Sequence, residues 1–321
     1  MHNNNCERRS AFHETVRLAV MAETGGGGSS SINGRPEWLE AGQATTTEDH
    51  ALVSAGGASG ARSLSGGTPG LLVWQHRAGV LSHILALAAV SIVSLWVSDE
   101  AMGGGGVSWE EGEAKLVFNW HPVLMVLAFS FMTVSSLAFS MPWKSSHRRI
   151  NKALHVTEWG VAAICAAFGM AAVFKSHNDP SSGFIANLYS LHSWVGLGVI
   201  SLYVCQFLVG IFSFGVNIRR LSPGSKATVM SIHKFLGSFI YKAVALTILL
   251  GIQEKEGFIN CSYQVDEADV NPIQHFSDIP RVCKISHSLG LIIFAMAIST
   301  GFSLHDFVYR SPVVSPGRRD A

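Results

Sequence analysis

Four histidines carry the chemistry of this chain. His121, His155, His192 and His233 each lie about one helical turn inside a different apolar stretch. An imidazole in hydrocarbon is costly to keep, and four at matching depths ask for one shared reason. Axial ligation of two haems supplies it, because a b-type haem takes two opposed imidazoles from facing helices.

The elements that must position them are membrane spans. The chain has 321 residues, of which 48% are hydrophobic and only 14% charged. A run of ~20 apolar residues crosses a bilayer core of ~30 Å. Six such runs can be read, at roughly 72–97, 118–140, 153–174, 187–216, 231–252 and 287–307. The expected fold is all-α, a six-helix transmembrane bundle whose central four helices hold the two haems. Residues 1–70 form an expected disordered, low-complexity tail, since the runs Gly25 to Gly28 and Ser29 to Ser31 have nothing with which to bury a core. Residues 71–310 are the transmembrane domain and 311–321 a short C-terminal tail. The patch Val16 to Ala22 is too short, and interrupted by Arg17, to predict a cleaved signal peptide.

Charge sets the expected orientation. The loop after the second span carries Lys144, Arg148, Arg149 and Lys152, the loop after the fourth carries Arg219, Arg220 and Lys226, and the tail adds Arg310, Arg318 and Arg319. Asp99, Glu100, Glu110, Glu111 and Glu113 lie at the other side. Lys and Arg gather in cytoplasmic loops, so both termini are predicted to be cytosolic. The near-zero net charge gives no indication of nucleic acid as a partner.

Orientation then fixes how the histidines pair. Spans two and four run inward from the non-cytosolic face with His121 and His192 near their starts. Spans three and five run the other way, with His155 and His233 near theirs. Each pair shares one depth on two parallel helices. With each ligand ~4 residues inside at a rise of ~1.5 Å per residue, the two metal positions fall ~18 Å apart along a ~30 Å core. That is a wire for electrons across the bilayer.

Other residues are assigned lesser roles. The remaining histidines offer no depth-matched pairing, with His287 the best substitute ligand on the non-cytosolic side. Cys261 and Cys283 share the last non-cytosolic loop, where a disulfide is plausible in an oxidising lumen. Cys165 and Cys205 are packing residues inside spans. Glu158 lies one turn inward of His155 on the same helical face, and Lys242 is turned to the face opposite His233.

Several motifs resemble the cytochrome b561 family, the ascorbate-dependent transmembrane reductases, and especially its ferric-reductase branch. They are Phe118-Asn119-Trp120-His121-Pro122-Val123-Leu124-Met125, Lys152-Ala153-Leu154-His155 and Tyr189-Ser190-Leu191-His192-Ser193-Trp194. His177-Asn178 and Gly251-Ile252-Gln253-Glu254-Lys255 also fit. The likeness spans about residues 71–310 and leaves the tail before residue 70 without a counterpart.

The resemblance implies two b haems per chain, bis-histidine ligation by the four residues above, and homodimers. It implies a cytosolic ascorbate site using Lys152 and Lys226, and a non-cytosolic acceptor site using His177 and Asn178. The acceptor is monodehydroascorbate or ferric iron. Two positions depart from the family's pattern: Lys226 stands where an Arg is expected, losing a bidentate fork, and Ser140 stands in place of another Arg. The expected location is the plasma membrane or an endomembrane such as a vesicle, lysosome or vacuole. Three competing readings are a haem-free six-span transporter or proton channel, a di-haem quinol-linked subunit, and a haem sensor without turnover. One ligand per span disfavours the quinol-linked form, which often places two on each of two helices.

Overall fold

Apolar runs long enough to cross a bilayer become helices here because a helix pairs every backbone amide internally. They are α1 (Pro69–Ser98), α2 (Ala114–Phe118), α3 (Trp120–Leu137), α4 (Arg148–His177), α5 (Leu191–Gly210), α6 (Pro223–Phe258) and α7 (Arg281–Tyr309). The computed structural model describes residues 69–102, 104–138, 148–215, 222–259, 261 and 275–309. Every described residue belongs to the unit 64–321. The predicted tails lie outside the described residues apart from Pro69 and Gly70. So do Ser140, Lys144, His147, Arg219, Arg220 and the acidic stretch Asp266 to Asp269.

Six membrane spans result, with α2 and α3 together making the second. The protein is an integral, multi-pass membrane protein. The break at Asn119 has a local cause. Pro122 has no N–H to give and its ring crowds the Phe118 carbonyl, so the helix is interrupted there. Asn119 uses the gap, donating from Nδ2 to the Gly104 carbonyl at 3.2 Å and the Gly106 carbonyl at 2.8 Å.

The helices outrun the hydropathy windows. The fifth window begins at residue 231, yet α6 begins at Pro223, where Ser222 caps it by accepting from the Ser225 N–H at 3.1 Å. Its 36 residues at ~1.5 Å each reach ~54 Å, well beyond a ~30 Å core. Hydropathy marks the crossing; caps mark the helix. The fourth span departs the other way, starting at Leu191 rather than 187 and ending in a π-helical turn, Ile211–Gly215.

Packing order follows from small and hydroxylated residues. The first span packs on the second and sixth, the second on the third, the fourth on the fifth, and the fifth on the sixth. Ser82 and Ser299 share a hydrogen bond at 2.7 Å between spans one and six. Tyr241 bonds Thr133 at 2.8 Å and donates to Thr300 at 3.1 Å, with its ring stacked on Phe129. Such hydroxyl pairs join helices where hydrocarbon solvent supplies no hydrophobic drive. They sit on the side of the bundle away from the fourth span. Spans two and three pack closely, as do four and five, but the fourth span makes few contacts with the second and third, and the histidines occupy that space.

Candidate electron-transfer site

His121 is the second residue of α3, just past the break, and His192 the second of α5, just past the Ser190 cap. Their rings stand 6.0 Å apart, centre to centre, at 84°. Each Nδ1 lies at a backbone carbonyl, His121 on Gly169 at 3.1 Å and His192 on Thr247 at 2.9 Å. A carbonyl only accepts, so Nδ1 carries the proton and donates it. The lone pair is left on Nε2, the tautomer a metal needs.

His155 and His233 form the second pair, 6.4 Å apart at 70°. The Ser135 hydroxyl lies 3.1 Å from the His155 Nδ1 and donates to the His155 carbonyl at 3.0 Å, which frees its lone pairs to accept the ring proton. At His233 the neighbour is an amide. The Gln206 nitrogen lies 2.8 Å from Nδ1 and 2.7 Å from the His233 carbonyl. Ligation through the Nε2 of His233 requires that amide to turn its oxygen to the ring.

The spacing can be tested against haem. A ring nitrogen ~2 Å from a shared metal puts two opposed imidazole centres ~6 Å apart. Both pairs stand at that spacing, and at His121, His192 and His155 the hydrogen-bonded Nδ1 leaves the Nε2 lone pair for a metal. Glycines make the room. A Cβ on Gly251 would come 2.8 Å from the His192 Cε1, and one on Gly210 would come 3.1 Å from the His233 Cε1. The residues fit the group.

A cavity of about 690 Å³ surrounds the first pair. It runs from Glu113, Asn187 and Tyr189 at the loop end past His121 and His192 to Met132 and Tyr203. Below it the gap between the two pairs is closed by aromatics. The Tyr203 hydroxyl donates to the Trp159 carbonyl, their rings lie 5.3 Å apart, and Trp159 lies 5.9 Å from His155.

The expected substrate residues separate into two ends. His177 is buried, lines the large cavity and has no hydrogen-bond partner at Nδ1. Asn178 is exposed and outside that cavity, donating to the Phe174 carbonyl at 2.8 Å and bordering a smaller depression with Asp179 and Lys175. At the opposite end Lys152 donates to the Phe214 carbonyl in the π-turn, and the Phe214 ring lies 5.6 Å from His233. Lys226 is half-buried two helical turns before His233 on α6, hence on the same face.

The loops over the cavity are latched. Asp179 accepts from the Ser181 hydroxyl at 2.6 Å, the Gly112 N–H at 2.9 Å and the Ser181 N–H at 2.8 Å, tying the second loop to the first. Those bonds, the Ser181 hydroxyl foremost, hold its carboxyl below the usual carboxylate range. Desolvation and then the hydrogen bond to Glu254 push the Tyr189 phenol up, and Ser190 donates to the same Glu254 at 2.9 Å. Cys261 and Cys283, whose pairing the sequence left as plausible, form a disulfide that joins the end of α6 to the start of α7.

His287 is exposed and pairs with Glu256 at 3.4 Å, so it is committed elsewhere. Glu158 is half-buried with Oε2 lacking a hydrogen bond, and His83 of the first span is within its electrostatic reach. Sequence reasoning missed Ser135, Gln206, Trp159, Tyr203 and Gly210 as parts of the site, and picked out Gly251 only within a motif, without a role. A signal existed for the glycines, since each lies in an apolar span where Gly allows close approach.

An all-helical multi-pass bundle with one opposed imidazole pair towards each end is the architecture of a membrane cytochrome. The sequence pattern of eukaryotic cytochrome b561 matches residues 120–259. The plasma membrane ascorbate-dependent reductase CYBRD1 of Rattus norvegicus is 38% identical over 226 residues, 70% of this chain and 69% of that one. Ascorbate-specific transmembrane electron transporter 2 of Zea mays is 35% identical over 56% of this chain and 73% of its own. Transmembrane ascorbate ferrireductase 1 of Arabidopsis thaliana is 34% identical over 56% and 71%. The chain belongs to the cytochrome b561 family and is a transmembrane oxidoreductase.

Proposed function

We propose that this protein takes one electron at a time from cytosolic ascorbate and delivers it to an acceptor on the opposite face, monodehydroascorbate or ferric iron. The observation that carries the reading is the pair of imidazole couples, 6.0 and 6.4 Å apart, whose Nδ1 atoms are engaged by neighbouring groups. His121 with His192, and His155 with His233, would each hold one haem b. The haems, when bound, supply the one-electron chemistry.

The chain's own residues do the rest. Lys152 and Lys226, one turn before His155 and two turns before His233, present positive charge where an ascorbate monoanion docks. The Phe214 carbonyl restrains the Lys152 ammonium beside the His233 end. The glycines at 210 and 251 leave clearance for the rings, and Ser135, Gln206 and two backbone carbonyls fix their rotation. At the far end His177 lines the cavity with an uncommitted Nδ1, suited to a proton or a polar atom of the acceptor. Asn178 borders that site from outside. The basic loops support cytosolic termini, and the reading is of a homodimer in the plasma membrane or an endomembrane.

The test is an optical spectrum of the purified protein titrated with ascorbate, with haem quantified per chain. Two low-spin haems reduced in two phases are expected, followed by reoxidation when ferric citrate is added to the opposite side of proteoliposomes. Protein that binds no haem would overturn the reading in favour of a transporter.

A further inference from the structure

Lys255 lies near the end of α6, half-buried in the wall of the large cavity. Its ammonium lies 5.1 Å over the Phe118 ring, and that ring lies 5.9 Å from the ring of His121. The charge is therefore held inward, close to the first imidazole pair. Lys255 takes part in no ion pair among the described residues.

The acids nearby are otherwise placed. Glu254 accepts from Ser190 and Tyr189, Glu256 accepts from Ser286 and faces His287, and Glu113 is exposed at the rim. Glu113 and Glu254 line the cavity, and two further basic groups join Lys255 there. Lys115 lines the same cavity and lies within electrostatic reach of Lys255. His177, about nine-tenths buried, lines it too and leaves Nδ1 without a partner. A sequestered ammonium facing a second one is costly unless an anion joins them, and an aromatic face offsets only part of that cost.

We propose that Lys255, backed by Lys115 and His177, is an anion-binding site at the loop end of the cavity, recognising a carboxylate or enolate oxygen. The proposal rests on the electron-transfer reading above and narrows it. Such an oxygen has two sources. One is a propionate of the haem held by His121 and His192; the other is the acceptor itself, which would then be an organic anion or an anionic ferric chelate rather than a bare ferric cation.

The test uses full-length, haem-loaded protein in proteoliposomes, comparing wild type with K255Q, K255R and K115Q. Each is read by redox titration of the haem spectrum and by reoxidation from the non-cytosolic side, with ferric citrate as the anionic probe and hexaammineruthenium(III) as the cationic one. If the propionate is the partner, K255Q lowers the potential of one haem and K255R restores it, because a nearby positive charge favours the reduced form. If the acceptor is the partner, both potentials hold and KM for ferric citrate rises ~10-fold, the usual scale for one charged hydrogen bond, while the cationic probe is unaffected. K115Q, altered at an exposed residue that leaves the fold intact, shifts the same readout by less. Unchanged potentials together with unchanged ferric citrate kinetics in K255Q overturn the proposal. Wild-type protein without haem would instead count against the electron-transfer reading.

Discussion

Replacing Gly251 by alanine tests the site with a single methyl group. The added carbon would stand 2.8 Å from the His192 Cε1, 3.2 Å from Nδ1 and 3.3 Å from Nε2. Ordinary carbon contacts begin near ~3.5 Å, so the ring must retreat by about 0.6 Å or more. It has little freedom to do so, because Nδ1 is held at 2.9 Å by the Thr247 carbonyl on the same helix as Gly251. Displacement stretches that bond toward the limit of a useful hydrogen bond and turns Nε2 off its axis. Overpacking of this kind costs ~1–3 kcal/mol, and lost orientation of a ligand ~10- to 100-fold in affinity for the metal. Helix propensity pulls the other way by ~1 kcal/mol in favour of alanine, so a loss cannot come from the backbone. Haem per chain should fall from two toward one, with the remaining haem unchanged in potential. G198A is the matched control, since a Cβ there meets nothing within 4 Å. G210A should act more mildly on the other pair, its Cβ lying 3.1 Å from the His233 Cε1. A G251A protein that binds two haems with wild-type potentials would refute the ring-clearance argument.

Q206L removes the neighbour of the His233 Nδ1 and should change the potential of the haem at the His155–His233 end while leaving the other; Q206E, which supplies an acceptor, should retain haem. C261S or C283S opens a loop of 22 residues' separation, worth ~3 kcal/mol of closure entropy, and should lower the midpoint of thermal denaturation by several degrees in absorbance melts. Asp179 has a folded pKa below its unfolded value, so its stabilisation is complete above the ordinary carboxylate value near ~3.9 and lost as pH falls through the lower one. Hydrogen-exchange protection of the Gly112 and Ser181 amides should therefore be flat from neutral to mildly acid pH and decline below it. D179N should weaken that protection at every pH.

The spans and the pairing could be read from the chain because both are one-dimensional facts. Hydropathy counts residues across a bilayer, and equal depth on parallel spans leaves His121 only His192 as its match. The structure sets Lys152 and Lys226 at one end and His177 at the other. What was hidden depends on neighbours far along the chain. Gly169 and Thr247 hold rings through backbone carbonyls, which carry no residue signature at all. Gln206 reads as a polar residue in an apolar helix until α6 is laid beside it. The late start of α5 follows from Leu188, whose φ of 57° no hydropathy window registers. Asn178, adjacent to His177 in sequence, falls outside the cavity because α4 ends between them and the chain turns.

The closed aromatic layer of Trp159 and Tyr203 also has an electrical meaning. The imidazole pairs lie towards opposite ends of the bundle, with Trp159 and Tyr203 packed between them. Part of any transmembrane voltage drops across that layer. An electron moved from the His155–His233 end to the His121–His192 end is a charge displaced through the field. Each 100 mV biases that step by ~2.3 kcal/mol, weighted by the fraction of the field crossed. Membrane potential thus acts directly on the step between the two ends, favouring it when the receiving side is positive and holding it back when the sign reverses.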